Sequence, residues 1–232
     1  MSLPYKTALI VGVGTGISAS VARLLAKEGV RVALAARNPG KLADLVRDTG
    51  ALAIELDATK PDAVARAFDT VDKQLGAPDI VLYNASGRTR GAFAELDPIE
   101  VARELAVSAY GGFLVAQQAA RRMLLVGRGA ILLTGASASV KGYAQSAPFA
   151  MGKFALRGLA QSIARELAPK GIHVAHFVID GGVRSASRIE SSESPDSFLD
   201  PDAIARTYLH VLQQERSAWT WEIELRPWVE RF

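Results

Sequence analysis

Glycines at 12, 14 and 16 punctuate residues 11–18, VGVGTGIS, which follow an apolar run from Thr7. They open a segment whose Ile17, Val21, Leu24 and Leu25 share one helical face. A strand, a glycine turn and a helix in that order bring bare backbone N–H groups and the positive end of a helix dipole against a ligand at the turn. The chemistry on offer is anion binding, and a pyrophosphate suits it. The spacing departs from G-x-G-x-x-G, because Gly12 and Gly16 are four apart and Ser18 stands where the next glycine is expected. Metal chemistry is not expected. Without cysteine, disulfides, thiolate catalysis and Cys-ligated zinc are excluded, and His173, His176 and His210 lack the mutual spacing of a ligand set.

The elements that must position this turn alternate regularly. Short apolar runs of strand length lie at 7–11, 31–36, 51–56, 79–83, 130–134 and 173–179, and an edge strand is read at 218–225, with Trp219 and Trp221 on one side. Between them the apolar spacing predicts helices ending near Gly29, around Leu42, Leu45 and Val46, and from Pro61 to the stop at Gly76. Further helices are predicted from Pro98 through about Val126, over 148–167 and from Pro201 to about Gln214. Strand–helix alternation means a single-domain, Rossmann-like, doubly wound parallel sheet of about seven strands, with helices on both faces. One such domain accounts for residues 1–232, and ligands belong at the carboxyl ends of its strands. There lie the glycine turn, Asn84 to Gly87, and Gly135 to Ser137. Residues 184–200, polar and rich in Ser, Glu and Asp, read as a mobile loop over the site.

Length and composition suit a protein with a full core: 232 residues, 49% hydrophobic and 22% charged. Net charge is +3, and the basic residues are scattered, so no nucleic-acid footprint is expected. The apolar run at the start is too short for a signal sequence or a membrane span, so a cytoplasmic location without membrane association is the default expectation.

Four features in register resemble the short-chain dehydrogenase/reductase family over nearly the whole chain. They are the G-x-x-x-G-I turn from Gly12 to Ile17, Asp57 after the third strand, N-A-S-G from Asn84 to Gly87, and a helix bearing Lys153. The resemblance implies a nicotinamide dinucleotide held by Gly12, Gly14, Thr15, Gly16, Ile17 and the backbone past Asn84 at Ala85 and Ser86. Asp57 and the Ala58 backbone would take the adenine, Lys153 the ribose, and Gly182 and Val183 the nicotinamide amide. It also implies a homodimer or homotetramer acting on a small molecule. Asp180-Gly181 departs from the family's P-G. After the second strand the chain carries Arg37 and no carboxylate, which favours the 2′-phosphate of NADP(H) over NAD(H). Arg37 as a solvated surface residue is the competing reading.

The catalytic half departs further. The family's Tyr stands four residues before its Lys, but here Phe149 precedes Lys153. Counting back 13 residues to the family's Ser gives Ala136, with Ser137 one place off, and the family's Asn falls on Ser108. A benzyl group has no proton to give, so the sequence leaves three readings open. An NADPH-dependent oxidoreductase acts on a carbonyl, alcohol or enone with a proton donor such as Tyr143, Ser137, Ser146 or water. A cofactor-binding sensor or subunit lacks turnover. A reaction such as reduction of an activated C=C bond needs hydride more than acid. Arg88 and Arg90 either meet an acidic substrate or the cofactor phosphates, or are solvated loop residues. Trp219, Trp221, Trp228 and Phe232 crowd the end of the chain as a subunit contact or a wall of a neighbour's cleft.

Overall fold

A computed structural model describes residues 3–185, 188–191 and 195–230. Its strands are β1 (Thr7–Val11), β2 (Arg31–Ala36), β3 (Leu52–Glu55), β4 (Ile80–Tyr83), β5 (Gly129–Thr134), β6 (Ile172–Ile179) and β7 (Glu222–Leu225). All pair in parallel, in the order β3-β2-β1-β4-β5-β6-β7. The helices are α1 (Ile17–Lys27), α2 (Ala43–Thr49), α3 (Pro61–Leu75), α4 (Pro98–Leu105), α5 (Gly111–Val126), α6 (Ala147–Leu167) and α7 (Pro201–Leu212).

The continuous apolar runs of the inner strands are explained by burial on both faces. Alternate residues point to opposite sides. Leu9, Val11, Val81, Tyr83, Ile131 and Leu133 pack with α3, α5 and α6. Ala8, Ile10, Ile80, Leu82, Leu132 and Phe177 pack with α1, α2 and α7 on the other face. Each large side chain removed from water in these layers contributes about 1.5–3 kcal/mol. Helix starts are marked as their sequences predict. Asp97 and Asp200 accept N–H bonds at the first turns of α4 and α7, each ahead of a proline at the first helical position.

Two elements differ from the sequence reading. The single helix expected over 98–126 is interrupted by a π-helical turn, Ala106–Tyr110, between α4 and α5. The phenol of Tyr83 donates to the Val107 carbonyl in that turn. The strand expected over 218–225 is confined to β7: Ala218 belongs to a 3-10 turn, Arg216–Ala218, and Trp219 stacks on His173 with centroids 4.6 Å apart. Of the segment 184–200 expected to be mobile, residues 186–187 and 192–194 lie outside the described residues, as does Phe232. The remainder folds against itself: Arg184 pairs with Asp200 at 2.6 Å, and the chain bridges Val183 to Leu199. No described helix is long and apolar enough to cross a membrane.

Candidate active site

The chain crosses back over the sheet after β3 to lay β4 beside β1, and this reversal opens a crevice at the carboxyl ends of those strands. Gly12 turns the chain at its floor with φ +84°, and a Cβ there would collide with the Ala85 backbone. Only glycine fits, because the turn must lie against the segment after β4. Gly14 and Gly16 instead face open space, where an added Cβ would meet nothing within 4 Å. α1 starts with neither a side-chain cap nor an acidic residue in its first turn, so its N–H groups face the crevice unopposed.

Ser18, the departure from the glycine pattern, is buried and bonded rather than turned toward a ligand. Its hydroxyl accepts from Asn84 Nδ2 at 2.7 Å and lies 3.3 Å from the Gly12 carbonyl, to which it donates. Asn84 N in turn donates to the Val11 carbonyl at 2.8 Å, so Asn84 fastens the two loops that floor the crevice. Arg37, Asp57, Ala58, Asn84, Ala85 and Ser86 line one stretch of it. Asp57 Oδ1 accepts from Thr59 N at 3.0 Å and from Thr59 Oγ1 at 2.7 Å. These bonds, with that of the side chain leading, hold the Asp57 carboxyl below its ordinary pKa, so it is a firm acceptor. An outer wing is lined by Thr15, Arg37, Asn38 and Lys41, and Lys41 was not foreseen from sequence. Neither Arg37 nor Lys41 forms an ion pair among the described residues. At the other end, Gly14, Gly16, Ile17 and Val183 frame a mouth together with Arg184 and Arg188. Open glycines, an uncapped helix start and a fixed carboxylate suit an extended dinucleotide.

A second cleft adjoins that mouth. It gathers Ser137, Tyr143, Ser146, Phe149 and Gly182 with Arg88, Arg90 and Arg188. Lys153 is fully buried beneath it, donating to the Thr134 carbonyl at 2.9 Å with its ammonium 5.8 Å from the Phe149 ring centroid. Burial pushes its pKa down to about 8, against the opposing pull of Glu104. At the cleft mouth Lys141 donates to Asp180 at 3.2 Å. Its pKa is raised by that bond first and also by the adjacent Tyr143 phenol.

Ser108 is not brought to this cleft. Its hydroxyl is buried in the π turn, donates to Glu104 Oε1 at 2.8 Å and accepts from Gly87 N at 3.4 Å. Glu104, which sequence reasoning missed, also accepts from Thr89 N at 3.0 Å and so anchors the loop after Asn84. Its only sequence signal was the four-residue spacing to Ser108 on one helical face. Also missed was a buried chain below the cleft. Ala136 N donates to Ser139 Oγ at 3.1 Å, Ser139 Oγ lies 3.4 Å from His176 Nε2, and His176 Nδ1 lies 3.0 Å from Glu222. This holds the β5 turn that presents Ser137.

Fold and crevice together define a dinucleotide-type α/β oxidoreductase. The chain belongs to the short chain dehydrogenase family, whose profile matches residues 6–196. It is 32% identical over 213 residues to versicolorin reductase stcU of Emericella nidulans, covering 89% of this chain and 75% of that protein. A short-chain dehydrogenase from Rhodopseudomonas palustris superposes with a TM-score of 0.84 at 35% identity, covering 96% of this chain and 99% of that one. A metagenomic short-chain oxidoreductase solved in complex with NADP gives a TM-score of 0.84 at 27% identity, with coverage of 98% and 99%.

Proposed function

We propose that this chain is an NADP(H)-dependent oxidoreductase, transferring hydride to or from a small carbonyl, alcohol or enone substrate. A nicotinamide cofactor would supply the hydride. The chain's own residues would bind it, orient the substrate and move the proton. Gly12, Gly14, Gly16 and Ile17 would take the pyrophosphate, Asp57 and Ala58 the adenine, Gly182 and Val183 the amide end. Arg37, Thr15 and Lys41 would hold a 2′-phosphate, the support for NADP(H) over NAD(H).

The observation that carries the reading is the adjacency of the two clefts, with Tyr143 the one phenol lining the second among the described residues. In the reducing direction hydride adds to the carbonyl carbon and Tyr143 gives its proton to the oxygen, with the Lys141 ammonium beside it. Ser137 and Ser146 line the same cleft and can hold the carbonyl. Lys153, which donates to the Thr134 carbonyl, would support the ribose side. A homodimer or homotetramer is supported by exposed Tyr110, Phe113, Met151 and Phe154 on α5, α6 and the π turn.

The test is fluorescence titration with NADPH, followed by its oxidation across a panel of ketones, aldehydes and enones. Tyr143→Phe should lower kcat on carbonyls by about 10²- to 10⁴-fold, the usual worth of a positioned acid, with NADPH affinity retained. Tight binding without turnover across the panel would favour the sensor or subunit role instead, and absent binding would refute both.

A further inference from the structure

On the reading that the second cleft receives the substrate, we infer that the substrate carries an anionic oxygen group, a carboxylate or a phosphate, held by Arg88, Arg90 and Arg188. All three guanidinium groups line the cleft, and none of them forms an ion pair among the described residues. Two carboxylates share the lining. Asp180 is already committed to Lys141 at 3.2 Å and Arg226 at 3.1 Å, which leaves Glu230 against three arginines. The cleft therefore carries surplus positive charge. The arginines also sense one another: desolvation first, then Arg90 and Arg188, lower the pKa of Arg88. Arranging like charges around a common space costs free energy that an anion recovers.

All three side chains are exposed, while their backbones are fixed beforehand. Thr89, between Arg88 and Arg90, donates its N–H to buried Glu104 at 3.0 Å. Gly91 N donates across the cleft to the Gln145 carbonyl at 3.2 Å. Arg188 is held by paired backbone bonds with Ser185 at 3.0 and 3.2 Å. The Arg88 guanidinium lies 5.4 Å from the Phe149 ring centroid, so it is steered over the ring that fills the family's acid position. Planar guanidinium groups bind carboxylate and phosphate oxygens through paired, charge-assisted bonds.

Two pairs of probes at constant ionic strength test this: 4-oxopentanoate against its methyl ester, and dihydroxyacetone phosphate against dihydroxyacetone. For the wild type, kcat/KM should favour one or both anions over the neutral partner by about 10- to 100-fold, the worth of one or two charge-assisted hydrogen bonds. Preference for the acid alone assigns the group as carboxylate, and preference for the phosphate alone assigns it as phosphate. In the double variant Arg88→Gln/Arg90→Gln the ratio should fall toward one. Thermal shift with the same four probes needs neither cofactor nor turnover, so it separates this inference from the reductase reading. An anion-specific shift that disappears in the double variant sustains the clamp even where NADPH oxidation is nil. Equal shifts for anion and neutral partner, or turnover with no anionic preference, overturn it, as does a preference that survives in the double variant.

Discussion

The Lys153 ammonium stands 5.8 Å from the centroid of the Phe149 ring, the position at which the sequence resemblance implies a phenol. The ring lines the second cleft and covers a cation that burial has pushed to a pKa of about 8. A buried cation favours ionisation of a neighbouring phenol, so Lys153 would support one at position 149. Phe149→Tyr is therefore expected to raise kcat for carbonyl reduction by about 10-fold or more, toward the range a general acid supplies. Steady-state oxidation of NADPH on a ketone measures it. An unchanged kcat would mean that proton transfer at this position does not limit the reaction.

The outer wing of the crevice sets Arg37 and Lys41 beside Thr15, with no carboxylate of the described residues paired to either cation. Arg37→Ala/Lys41→Ala should raise the Kd for NADPH by about 10- to 100-fold and shift that for NADH by less than about twofold, since only the former carries the extra phosphate. Equal weakening of both cofactors, read by fluorescence titration, would remove the basis for NADP(H) specificity.

Strand period and glycine punctuation made the sheet legible, because β1 and β2 are buried on both sides and their ends are fixed by local turns. The π turn at Ala106–Tyr110 was not, since AVSAY has nothing against an α-helix, and the Tyr83 phenol that bonds to it is distant in sequence. The same holds at the site. Gly12 and Asp57 stand in local motifs, whereas Glu104 beneath Thr89 and Lys141 on Asp180 are partnerships that only folding makes. At Ser108 the motif register picked the residue, while the Glu104 carboxylate that its hydroxyl donates to becomes visible only in the fold.

His176 predicts an acid-labile fold. It is buried, and desolvation lowers its pKa from 6.5 to about 4 against the pull of Glu222. Glu222 is itself lowered: burial raises it, but the bonds from Arg157 and His176 outweigh that. A base depressed in the folded state gives stability that is present above its unfolded pKa and lost as pH falls toward the folded one. Stability should thus decline between about pH 6.5 and pH 4, by at most on the order of 3 kcal/mol from this residue. Urea midpoints across that interval should fall more steeply for the wild type than for His176→Gln; parallel slopes would assign the loss to other groups.

Ser18 gives a prediction that runs against the family pattern. Restoring glycine at the third position of the motif would remove the acceptor for Asn84 Nδ2 and the donor to the Gly12 carbonyl. Ser18→Ala should cost about 1–2 kcal/mol for those bonds. Ser18→Gly should cost somewhat more, because glycine in the first turn of α1 also loses backbone entropy on folding. Both should loosen the crevice floor and weaken NADPH binding several-fold, as Asn84 is freed from the loop it holds. Urea unfolding and cofactor titration of the two variants decide it: a glycine variant as stable as the wild type, binding NADPH more tightly, would mean that the hydroxyl is merely tolerated there.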